Sequence, residues 1–240
     1  MKKKKNSKIK AAMIRSLIKD SEIVKVENNN TNNIGNNNME VKMSQLEGIP
    51  RLTVEEILKM DVVKLNLGSG DVAVEGYLNV DIQYYPNVDL IADISKLQET
   101  FPDRSVDAIV CRNTLQCFKY SEVRGVLRSW FRILKPRSKI ILQCHDFEKL
   151  VQAYQGTRCE CWSAETRTAV TDCPECQGTA TMNDARFRAL LFGSMRDGYK
   201  TYYNCLDEKY IVRLLESVGF KIVDVSHPDM YLKIVALRDE

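Results

Sequence analysis

The stretch "KLNLGSGDVAVEGYLNVDI", Lys64 to Ile82, decides how this chain is read. It opens as an alternating strand, breaks at Gly68 and Gly70, and closes in a second strand whose end is marked by Asp81. Glycine at such a break leaves backbone bare for a close approach. The acid follows too soon after Gly70 for a full helix to lie between the two strands. Strand, bare turn and strand-end carboxylate together describe the edge of an open α/β sheet, where ligands sit beyond the carboxyl ends of the strands.

The same alternation runs outward from that stretch. Upstream, "TVEEILKM" places Thr53 three residues before Glu56, a capping box that starts a short helix. Downstream, "VDLIADI", "VDAIVCRN" and "KIILQCHDF" read as strands. "SEVRGVLRSWFRILKP" is an amphipathic helix with Val123, Val126, Leu127, Trp130, Phe131 and Leu134 at helical spacing, stopped at Lys135-Pro136. "DEKYIVRLLESVGF" repeats the pattern, capped by Asp207 and ended by Gly219. "FKIVDVS" and "MYLKIVALR", joined by "HPD", form a terminal hairpin. The fold class expected is α/β: a Rossmann-like open sheet, mostly parallel, with an antiparallel C-terminal hairpin strand. Its rim would gather Gly68 to Gly70, Asp81, Asp93, Arg112 to Thr114, His145 and Asp146.

Composition sets the wider bounds. The 240 residues are 44% apolar and 28% charged with net charge +3, a globular balance. No apolar run reaches membrane-spanning length, and the lysine-led start lacks the features of a secretory signal, so a cytoplasmic location is expected. Residues 1–49 read as a basic, Asn-rich flexible extension: "MKKKKNSKIKAAMIRSLIKD" followed by the low-complexity "NNNTNNIGNNN". The basic part is either a solvated tail or docking helix, or a contact for nucleic acid or an anionic surface. The folded domain is expected over residues 50–240.

Two ligands compete for the glycine turn. "GSGDVA" fits the letters of the dinucleotide fingerprint, but Asp71 would oppose a pyrophosphate, and Asp81 comes far earlier than the ribose acid of that motif. S-adenosylmethionine suits the residues better. It has no phosphate, carries a sulfonium and an ammonium that tolerate nearby carboxylates, and presents ribose hydroxyls that one acid can accept together.

The segments "KLNLGSG…GYLNVDI…VDLIADI…DAIVCRNTLQCF…ILKPRSKIILQCHDFEKLV…DEKYIVRLLESVGFKIV" resemble class I S-adenosylmethionine-dependent methyltransferases, over roughly residues 62–150 and 199–240. The likeness is to a bacterial, type 11-like group with a "KLNLG-x-G" start and a shortened first crossover before "GY-x-N-V-D". This resemblance implies that Leu67, Gly68, Ser69 and Gly70 form the loop under the methionine part. It makes Asp81 the ribose ligand, packs Ile82 on the adenine, and puts Asp93 and Ile94 at the adenine amino group. Arg112, Asn113 and Thr114 would line the floor beside the sulfonium. Two departures fall on the substrate side: "NTLQCF" where such sequences often read "HVLEHF", and "YKTYYNCLD" where "YDYHKNGFD" is common.

The reaction implied is methyl transfer to an O or N acceptor, with a saccharide or other small molecule favoured by analogy. Such a displacement needs alignment first, and a base only where the acceptor must lose a proton. His145, in "QCHDF", is the candidate base, with a structural or packing role as its equal alternative. Between the fifth strand and the last helix, residues 157–182 carry Cys159-x-Cys161 and Cys173-x-x-Cys176. Two close thiol pairs suit a structural tetrahedral zinc, a four-cysteine zinc-knuckle insert; unrelated reduced thiols are the plainer alternative. Cys111 and Cys144 read as small core residues. A different class of protein also fits the tail and knuckle: a non-catalytic binding module for nucleic acid or a protein partner on the same fold.

Overall fold

A computed structural model describes residues 52–155, 173, 184–193 and 200–240. The expected extension over residues 1–49 lies outside the described residues, as do Cys159, Cys161 and Cys176 of the insert.

Seven strands form one sheet in the order β3-β2-β1-β4-β5-β7-β6. The strands are β1 Lys64–Leu67, β2 Leu78–Asp81, β3 Leu90–Ile91, β4 Val106–Arg112, β5 Leu134–His145, β6 Phe220–Ser226 and β7 Tyr231–Arg238. The first five run parallel, and β7 lies antiparallel between β5 and β6. Strand order reverses between β1 and β4, the switch point at which open sheets bind ligands.

The larger core lies under α1 Val54–Ile57, α2 Leu97–Thr100, α3 Tyr120–Ile133 and α6 Glu208–Val218. Helix α3 buries Val123, Val126, Leu127, Trp130 and Ile133, and the Trp130 indole N–H donates to the Ile94 carbonyl at 2.7 Å. Thr53 and Glu56 make the expected capping box, and Asp207 caps α6, which Gly219 ends at φ 114°. On the opposite face a smaller cluster joins Val74, Val110, Ile141 and Val235. Helices α4 Phe147–Tyr154 and α5 Asp184–Phe192 complete the described elements.

Two expectations shift in detail. "VDLIADI" pairs over Leu90–Ile91 alone, because Asp93 caps a 3-10 turn instead of extending the strand. Strand β5 begins at Leu134, directly after α3, so Pro136 lies within a strand whose early residues pair with β4 only at Leu134. Cys111 and Cys144 are buried as expected, and burial pushes both thiols up to about 12.

Candidate functional site

The loop after β1 is shaped by its neighbours. Gly68 and Gly70 have φ of 64° and 55°, the left-handed region that glycine enters at little cost. The Gly68 N–H donates to the Val80 carbonyl at 2.8 Å, pulling the turn over β2. A side chain on Gly68 would collide with Thr114, whose hydroxyl lies 3.0 Å from the Gly68 carbonyl oxygen and 2.9 Å from that of Arg112. Gly70 is different. A Cβ there would meet nothing within 4 Å among the described residues.

Asp81 joins this loop to β2. Its carboxylate accepts from the Gly70 N–H at 2.8 Å and from the Gln83 N–H at 2.9 Å, one bond on each oxygen. Each oxygen keeps acceptor capacity for a further donor. Asp93, at the end of β3, accepts from the Ser95 N–H and hydroxyl through one oxygen. Asn113 follows β4 with φ 53°, a conformation asparagine tolerates better than most residues. Its side-chain oxygen is buried, with no hydrogen-bond partner among the described residues.

These pieces line one cleft of about 480 Å³. Gly68, Gly70, Asp81, Ile82, Asp93, Ile94, Arg112, Asn113 and Thr114 all face it. Leu67 and Ser69 do not; Leu67 is a core side chain, and Ser69 is buried with its hydroxyl near the Gly70 carbonyl. The sequence reading weighed Asp71 only against a pyrophosphate and gave no site role to Gln83, Tyr85, Cys117, Phe118 and Lys200, all of which line the cleft. Tyr85 and Lys200 meet across the mouth, the ammonium 5.6 Å from the ring centroid. Position in the loop after β2 was the one signal for Tyr85; nothing local marked Lys200.

His145 lies outside this lining, in a small adjoining pocket with Gln116, Phe147, Leu190 and Tyr202. Tyr202 borders both spaces. The buried Gln116 amide nitrogen sits 3.3 Å from His145 Nδ1 and also bonds the Tyr202 phenol. Burial lowers the pKa of His145, opposed by a hydrogen bond to the Leu190 carbonyl, so the ring is neutral at pH 7. Burial pushes Tyr202 up to about 12, which keeps its phenol protonated. Tyr202 is stapled in place by its own N–H to the Phe192 carbonyl and by the Tyr203 N–H to the Gln116 carbonyl. Among the described residues no cluster of His, Cys, Asp and Glu forms a metal site; Cys173 is buried.

A glycine turn at the switch point, a strand-end acid bonded to it, and a cleft of this size stand where open α/β sheets bind their ligands. The family model described as a methyltransferase domain matches residues 52–142, from α1 into β5. No curated protein matches the sequence. Among solved structures the chain is similar to 1,6-didemethyltoxoflavin-N1-methyltransferase from Burkholderia thailandensis, at 14% identity and TM-score 0.45, over 74% of this chain and 71% of that one. It is also similar to an S-adenosylmethionine-dependent methyltransferase from Mesorhizobium loti, at 15% identity and TM-score 0.47, over 79% and 94%. A third likeness is to S-adenosylmethionine-dependent methyltransferases from Methanosarcina mazei, at 17% identity and TM-score 0.46, over 79% and 99%.

Proposed function

We propose that this enzyme transfers the methyl group of S-adenosylmethionine to an O or N atom of a small-molecule acceptor bound in the Gly68–Tyr202 cleft. The carrying observation is the bond from Gly70 to Asp81, which sets a bare backbone and a half-satisfied carboxylate side by side. Bound there, the cofactor supplies an electrophilic methyl on a sulfonium. In this reading Asp81 takes both ribose hydroxyls and Ile82, 44% exposed, covers the adenine. Asp93 uses its remaining oxygen for the adenine amino group, with Ile94 packed beside it. The orphan Asn113 oxygen accepts from a donor that enters the cleft.

The protein's work is alignment. Thr114 fixes the loop floor, and Tyr202 orients the acceptor through a phenol that stays neutral. His145 acts from behind Tyr202 and Gln116 as a neutral partner, which suits proton uptake only if the acceptor reaches the smaller pocket. Residues 157–182 we read as a zinc-stapled insert held by Cys159, Cys161, Cys173 and Cys176, of which Cys173 alone is described, as a buried thiol.

Calorimetry with S-adenosylhomocysteine, with NAD as the control, tests the assignment. Asp81→Asn keeps the size but removes charge and one acceptor; losing charge-assisted bonds to two hydroxyls predicts roughly 2–3 kcal/mol, about 30- to 150-fold in Kd. Unchanged affinity in a folded variant, or tighter binding of NAD by the wild type, rejects the reading.

A further inference from the structure

The charges of the cleft are divided. Asp71, Asp81 and Asp93 come from the β1 loop and the ends of β2 and β3, whereas Arg112 and Lys200 come from the end of β4 and the segment after α5. Arg112 is half-buried, and among the described residues its guanidinium has no hydrogen-bond or ion-pair partner. Desolvation by burial lowers its pKa from the ordinary arginine value, the mark of a cation drawn partly out of water without a counter-charge. Such a group binds an incoming anion with little competition from its own neighbours, and its planar fork matches a carboxylate or phosphate with two parallel bonds.

In the reading given above Asp81 takes the ribose and Asp93 the adenine amino group. The rest of the lining includes two cations, Arg112 and Lys200, together with the amide of Asn113 and the rings of Phe118 and Tyr202. We propose that Arg112 receives a carboxylate or phosphate oxyanion of the acceptor, so that the enzyme methylates anionic small molecules. The proposal rests on the cleft being the methyl-donor site. The same chemistry could be supplied by the methionine carboxylate of the donor itself, and the experiment separates the two sources.

The probe is the Arg112 side-chain Nε–H resonance in 15N-labelled protein saturated with S-adenosylhomocysteine, assigned by its loss in Arg112→Gln. Titration with benzoate and with inorganic phosphate is expected to shift it in a saturable manner. Arg112→Lys, followed by backbone resonances around the cleft, should weaken the response, because an ammonium is a point charge without the fork. Absence of any shift with both anions overturns the proposal. So does an Arg112→Gln variant that loses about tenfold or more in affinity for S-adenosylhomocysteine but not for its analogue lacking the carboxylate, since the guanidinium then serves the donor. Failure of the wild type to bind S-adenosylhomocysteine at all is a separate outcome, and removes the methyl-donor reading instead.

Discussion

Gly68→Ala isolates the contact on which the cleft floor is built. An alanine Cβ at this position would overlap the Thr114 methyl and hydroxyl and lie 2.7 Å from its Cβ, at a backbone φ of 64°. Left-handed backbone costs a non-glycine residue roughly 1–2 kcal/mol, and overpacking typically adds about 1–3 kcal/mol. The single variant should therefore lose about 2–5 kcal/mol. Thr114→Ala alone gives up a hydroxyl shared between two carbonyls and a methyl, about 1–2 kcal/mol. If the two positions were independent, the double variant would lose about 3–7 kcal/mol. Removing the Thr114 methyl and hydroxyl relieves most of the overlap, while the φ penalty and the contact with its Cβ remain. The double variant is thus expected to sit near Gly68→Ala itself, with a coupling of at least about 1 kcal/mol. Urea denaturation with an unchanged m-value reads this directly. Losses that add within about 0.5 kcal/mol would refute the idea that Thr114 dictates glycine at position 68.

Three further outcomes follow from the same geometry. His227 Nδ1 lies 2.7 Å from the Asp146 carboxylate and Nε2 lies 2.9 Å from Glu208, while Lys149 donates to the His227 and Asp229 carbonyls, so one ring ties α4, α6 and the β6–β7 turn. The Asp146 hydrogen bond first, then Glu208, raises the pKa of His227 above its unfolded value, so its stabilisation is present below about pH 6.5 and fades as pH rises through the folded pKa. Thermal melts of His227→Gln against wild type should therefore differ most in mildly acidic buffer and converge in alkaline buffer; a pH-independent difference would remove the clamp. The Arg238 guanidinium donates to the carbonyls of Phe131, Arg132 and Leu134 at 2.6, 2.9 and 2.7 Å, and Arg238→Ala is expected to cost about 2–4 kcal/mol in urea, against less than about 1 if those carbonyls find water. Metal analysis of reduced, purified protein should return about one zinc per chain, lost in Cys173→Ser; a zinc-free wild type sinks the knuckle.

The long periodic elements were legible because packing and propensity agree in them. Val123, Val126, Leu127 and Trp130 are spaced for one helical face and all of them are buried on it; Asp207 and Gly219 bracket α6 as caps. The rim was legible for a topological reason: parallel strands put all their carboxyl ends on one edge, so each strand-end residue was placed without knowing its rotamer. Tertiary contacts decided the rest. His145 ends β5 as read, yet its ring turns away from the larger cleft to stack on Tyr231, with centroids 5.3 Å apart, and to meet Gln116. Position along a strand says which edge a residue reaches, and says nothing of which of two adjoining pockets its side chain enters.

The first crossover holds the deeper lesson. Parallel neighbours ordinarily need a helix between them, which covers the sheet and fixes the loop. Residues 68–77 contain none. In its place stand two asparagines that look misplaced inside strands of a parallel sheet. Asn66 and Asn79 are register partners on β1 and β2, and both are buried. The Asn66 amide donates to the Val72 carbonyl at 3.0 Å and to the Asn79 side-chain oxygen at 2.9 Å, and Asp89 accepts from the Asn79 N–H at 2.7 Å. A buried polar group is tolerable only when it is satisfied, and here the satisfaction performs the missing helix's task of pinning the glycine loop to β2. Asp81 completes the same tether from the strand's end. The polar letters in "KLNLG" and "YLNVD" are therefore what lets so short a connection hold a binding loop still, a role visible only once the two strands are side by side.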